Sequence, residues 1–73
     1  MTYFTAYIER DVESGMYIGN VPAITGAHTV AATLDELHDK LKEVLTLCLE
    51  EMGEDEIKNL PIFAGVSQIE IAI

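Results

Sequence analysis

The sequence predicts an α+β domain of element order β-β-β-α-β, a single sheet with one helix packed on one of its faces. Three observations lead there. A capping signature at Thr33 opens a long amphipathic stretch, short β-rich runs punctuated by Gly and Pro precede it, and a run alternating in Ile closes the chain. At 73 residues the chain is expected to form one domain, residues 1–73, with a radius of gyration of about 11 Å when compact.

Residues 3–9 (Tyr-Phe-Thr-Ala-Tyr-Ile-Glu) are rich in aromatic and β-branched types and predict the first strand. Strand alternation puts Phe4, Ala6 and Ile8 on one face and Tyr3, Thr5 and Tyr7 on the other. Residues 10–15 carry turn chemistry and residues 16–21 a second strand, which makes a hairpin. Pro22 has no N–H to give a ladder, so the strand stops there. A loop at residues 24–26 leads into a third strand, residues 27–31.

Thr33-Leu34-Asp35-Glu36 is a capping box: the Thr33 hydroxyl accepts from the Glu36 amide, and the Glu36 carboxylate reaches back to the Thr33 amide. Behind it Leu34, Leu37, Leu41, Val44, Leu45, Cys48 and Met52 recur at helical spacing, inside an arc roughly 100° wide. Asp35, Glu36, Asp39, Lys40, Lys42, Glu43, Glu50 and Glu51 occupy the other side. Gly53 is placed to stop the helix. Residues 54–59 then form a charged connection, and residues 66–73 a fourth strand with Ile69, Ile71 and Ile73 on one face. A helical crossover returns that strand parallel to the first and third. One helix covers one face of such a sheet, so the other stays open as an association surface, carrying either the Tyr3/Tyr7 row or the Phe4/Ile8 row.

The composition pairs a formal net charge of −9 with 49% apolar residues and a mean hydropathy of +0.23. That much apolar material excludes a disordered acidic tail. A domain this small buries only about 60% of its unfolded surface, so part of the apolar excess is expected to face a partner. The acidity argues against direct nucleic-acid binding, which rests on Lys and Arg neutralising phosphates, and against an anionic membrane surface. Arg10, Lys40, Lys42 and Lys58 are scattered. One cysteine permits no internal disulfide, and neither a signal peptide nor a membrane-length apolar run is present, so the expected location is the cytoplasm.

Catalytic chemistry finds little to work with. His38 falls at the edge of the apolar arc, where a packed, hydrogen-bonded imidazole is expected, and His28 is expected to be a half-exposed sheet residue. Ser14 and Ser67 lack a histidine or nucleophile-elbow context, and Cys48 sits in the Leu stripe as a small inert hydrophobe. Residues 11–15 make a polar hairpin turn rather than a calcium loop, since the remaining ligands are missing. No catalytic residue, metal ligand or cofactor is therefore expected. The acids from Glu50 to Glu56 form a patch suited to steering a basic partner, and Leu47 projects from the charged side of the helix as a contact for it.

Gly15-Met16-Tyr17 after the turn, then Val21, Pro22, Ile24, Gly26, Ala27, Thr29, Thr33 and Glu36 in order, resemble the N-terminal domain of HicB-like antitoxins. Glu51-Met52-Gly53-Glu54, Pro61 and the closing Ile69-Glu70-Ile71-Ala72-Ile73 continue the pattern, while Thr25 replaces a usual second Pro and Ala27 stands where Cys is common. The resemblance implies a partial ribonuclease H-like fold without enzymatic activity. It also implies a type II toxin–antitoxin role, the protein binding and inhibiting a small basic HicA-like toxin that cleaves mRNA. Assembly into dimers or tetramers is implied as well. Many members of that family carry a C-terminal DNA-binding domain; with the expected last strand ending at Ile73, neither such a domain nor direct DNA contact is expected here.

Under this expectation Asp39, Glu43, Leu47, Glu50, Glu54 and Asp55 contact or steer the toxin, and Tyr3, Thr5 and Tyr7 form the oligomer face. The alternative is a free-standing homo-oligomeric interaction module without a toxin. A third possibility, from another class, is a vestigial ribonuclease H-like hydrolase.

Overall fold

A computed structural model describes residues 2–73 of the chain. Three short strands, β1 (Tyr7–Arg10), β2 (Tyr17–Asn20) and β3 (His28–Ala31), form an antiparallel sheet in that order. They are followed by a long helix, α1 (Leu34–Glu50), and a short one, α2 (Glu54–Lys58). The α+β class and the three-strand meander are as the sequence predicts, with each strand shorter than its β-rich run.

Register follows from the turns. Asp11 accepts from the Ser14 amide at 2.9 Å and the Ser14 hydroxyl at 2.8 Å, and its own amide donates to the Met16 carbonyl at 2.8 Å. Gly15 completes the turn at φ 73°, where a side chain would be strained. Tyr7 pairs with Asn20 and Arg10 with Tyr17, and on the far side Tyr17 pairs with Ala31. Between β2 and β3 the loop folds back on itself through Val21, Ile24 and Ala27, whose backbones hydrogen-bond to one another. That knot buries all three side chains.

The Thr33 cap forms as expected, its hydroxyl accepting from the Glu36 amide at 3.2 Å. The reciprocal half of the box does not: the Glu36 carboxylate lies 3.5 Å from the Lys40 ammonium instead. Lys40 also donates to the Val30 carbonyl at 3.2 Å, tying the helix to β3.

The core consists of Val21, Ile24, Ala27, Ala31, Leu37 and Leu41, with Phe4, Ala6, Tyr17, Val44, Leu45 and Cys48 packed around it. The helix lies close on the sheet because β2 carries Gly19 at the contact. A Cβ there would sit 2.7 Å from Leu41 Cδ1 and 3.2 Å from Leu37 Cδ2.

Four expectations are corrected. Residues 66–73 form no strand; residues 61–73 are exposed and belong to no element of secondary structure, because alternation specifies an extended shape but not a partner for it. Gly53 does not stop α1 in a left-handed turn; Glu51 caps it, and Gly53, at φ −76°, caps α2, so the charged connection is a helical turn. Leu34, in the first turn, is exposed, while Leu49 joins the packed stripe. His38 is exposed rather than packed, its position about 100° around the helix from buried Leu37.

Candidate partner-binding surfaces

Helical geometry decides what α1 offers to solvent. Taking 100° per residue, Asp39, Glu43, Leu47 and Glu50 fall within an arc of about 80°, roughly opposite the buried Leu37–Leu41 face. All four are exposed, Leu47 to 58%. They make one continuous stripe in which acids flank a lone large apolar side chain. Glu54 and Asp55 are likewise exposed in the first turn of α2. All six residues singled out as partner contacts are thus accessible, and four are brought onto one face.

None of these carboxylates is paired with a base; the single ion pair among the described residues is Lys40 with Glu36. Arg10 is occupied differently, its guanidinium lying 5.9 Å from the centre of the Tyr17 ring. The acidic field of the outer helix therefore has little internal compensation.

The second surface is the open face of the sheet. Because Ile8 opposes Gly19 and Arg10 opposes Tyr17, the Phe4/Ala6/Ile8 row lies on the helix side. The Tyr3/Thr5/Tyr7 row takes the other face, with Ile18 and Val30 beside it. Tyr3, Tyr7, Ile18 and Val30 are all exposed. Tyr3, Thr5 and Tyr7 also line an apolar groove of about 480 Å³ together with Ile57, Leu60 and Phe63. The part played by α2 and Phe63 in this groove was missed from sequence, where residues 54–59 looked like a solvated connector.

The acidity of Asp11 is displaced. The amide and hydroxyl of Ser14 both donate to its carboxylate and hold its pKa below the usual carboxylate value. The displacement serves the turn. Cys48 is half-buried within the helix stripe, and His28 is exposed. No group of three His, Cys, Asp or Glu side chains among the described residues is arranged to hold a metal ion.

Comparison with known proteins settles the kinship. A protein of Thermotoga maritima carrying the name UPF0150 is 52% identical over 68 residues, covering 93% of this chain and 88% of the relative. The chain belongs to the UPF0150 family. A UPF0150 protein of Archaeoglobus fulgidus is 40% identical over 68 residues, covering 93% of both chains. One of Synechocystis is 39% identical over 66 residues, covering 90% of both. No family model and no solved structure matches the chain. The similarity to UPF0150 proteins covers 90–93% of the chain. No helix among the described residues is long and apolar enough to cross a membrane.

Proposed function

We propose that this UPF0150 protein is a HicB-like antitoxin that binds and silences a small basic HicA-like toxin cleaving mRNA. The observation that carries the reading is the exposed stripe Asp39, Glu43, Leu47 and Glu50 on a chain of net charge −9. An RNA-cleaving protein needs a cationic surface for its substrate. An acidic helix face that docks on that surface competes with the RNA backbone directly, and opposite charge speeds the encounter. Leu47 supplies an apolar anchor among the charges, and Glu54 and Asp55 extend the acidic field.

In this reading the chain acts stoichiometrically in the cytoplasm, with no catalytic residue, cofactor or direct DNA contact of its own. The three-strand meander and the long helix that follows it are the elements that a partial ribonuclease H-like fold would share. Tyr3, Thr5 and Tyr7 serve self-association into a dimer or tetramer. That open apolar face also supports the second reading, a homo-oligomeric interaction module without a toxin.

The proposal predicts a neighbouring gene for a small basic protein, and co-purification with that product tests it. The intact chain is expected to retain that protein, while the triple variant D39K/E43K/E50K loses affinity by roughly tenfold or more. Failure of the intact chain to form the complex would leave the interaction module as the surviving reading.

A further inference from the structure

We propose that Lys40 closes the β3 edge of the sheet: its ammonium, paired with Glu36, occupies the outward carbonyl of Val30 and keeps that edge from pairing with a strand of another chain. The role does not depend on whether the protein's partner is a toxin.

The direction of each backbone group on β3 follows from the ladder. Val21 donates to the Ala27 carbonyl at 2.8 Å, continuing the register in which Gly19 opposes Thr29 and Tyr17 opposes Ala31. Antiparallel alternation then gives Thr29 and Ala31 the bonds to β2, and turns the N–H and C=O of His28 and Val30 outward. A row of outward groups is a template for a further strand. Exposed Val30 and Ile18 lie beside it on the open face, an apolar surface that adds to the hazard.

Two of these four groups are already engaged. The His28 amide donates to the Gly26 carbonyl at 3.0 Å, in a tight turn that Gly26 permits at φ 86°. The Val30 carbonyl accepts from Lys40 Nζ at 3.2 Å. An added strand bonds to both the N–H and the C=O of each outward residue it meets. Neither His28 nor Val30 has both to give. On the other edge, Ile8 and Arg10 turn their backbone groups outward, and among the described residues no hydrogen bond occupies them.

Stability does not account for the contact. The Lys40 and Glu36 side chains are 45% and 50% exposed, and an ion pair so exposed adds little to folding. Its position at the strand edge is what matters. The lysine stem carries the ammonium from α1 to the outer side of β3, where an incoming strand must strip a charge of its water to reach Val30. Glu36, one helical turn earlier, holds the ammonium on that side at 3.5 Å.

Light scattering and amide hydrogen exchange of the full chain test this. Lys40→Met keeps the stem and removes the donor. It is expected to retain the helical circular dichroism of the parent, yet to form assemblies larger than the parent's at roughly tenfold lower concentration. The Val30 amide is expected to become protected in those assemblies. Lys40→Arg, which keeps a donor, and Lys42→Met, which removes the same charge elsewhere on α1, are expected to behave as the parent. Lys40→Met with the parent's assembly state and Val30 exchange would overturn the proposal. Equal association of Lys42→Met would overturn it too, by assigning the effect to net charge. Should Lys40→Met fail to fold, the intact chain decides by nuclear magnetic resonance. The Lys40 ammonium protons are expected to exchange with water more slowly than those of Lys42, and equal rates would refute the closed edge.

Discussion

Leu37 is wholly buried between α1 and β2, and Gly19 is the residue that lets it come so close. Truncating Leu37 to Ala removes transfer energy and leaves a void, so a loss of about 3 kcal/mol in a urea titration is expected. Gly19→Val fails for the opposite reason. Its branched side chain meets Leu41 and Leu37 inside van der Waals distance, and overpacking of this kind costs about 2 kcal/mol. Losses of this size are a large fraction of what a small domain has.

Asp11 behaves as a pH reporter. Its carboxyl pKa is lowered in the folded chain by the two donors from Ser14, so its contribution is present above the ordinary carboxylate pKa. The contribution fades as pH falls through the lowered value. Asp11→Ala should therefore destabilise the hairpin at neutral pH, with the gap between variant and parent closing under strong acid. Gly19 and Asp11 were both visible in the sequence as residue types. The turn at Asp11 was legible in the sequence, whereas only the sheet register shows that Gly19 faces the helix.

Among the elements, α1 was the most legible, because cap, stripe and charged face all repeat at one period and each supports the others. Thr33→Ala should cost about 1 kcal/mol through the unsatisfied Glu36 amide. Leu47, exposed on the far side, should be replaceable by Ala within about 0.5 kcal/mol, while the same change weakens the complex with a basic partner. The strands were legible as alternation, but their ends were not. Residues 3–6 have strand composition yet no ladder, since the residues opposite them enter the Pro22 loop. The fourth strand failed for a deeper reason. Residues 67–73 alternate as well as any strand here, and alternation in one chain says nothing about which chain provides the neighbour. Gly53 misled in a smaller way, since a glycine after a helix suits either the end of one helix or the start of the next.

For the molecule as a whole, the acids and the apolar excess occupy different surfaces. Asp39, Glu43 and Glu50 look outward from α1, while Tyr7, Ile18 and Val30 occupy the open sheet face and Ile69, Ile71 and Ile73 are exposed on the tail. That separation was partly legible, since the helix stripe places the acids, but which β1 row stays open required the β1–β2 register. A field of net charge −9 should steer association with a cationic protein, so the on-rate is expected to fall at least tenfold between low and high salt in stopped-flow mixing. A weak salt dependence would point to Leu47 and its apolar neighbours instead.

The most direct test of the central claim is RNA cleavage by a small basic HicA-like toxin encoded beside this gene, measured while this protein is titrated into the reaction. The account predicts that cleavage falls to background at one equivalent of the acidic chain, and that D39K/E43K/E50K restores it. Unchanged cleavage in the presence of saturating intact protein would contradict the account.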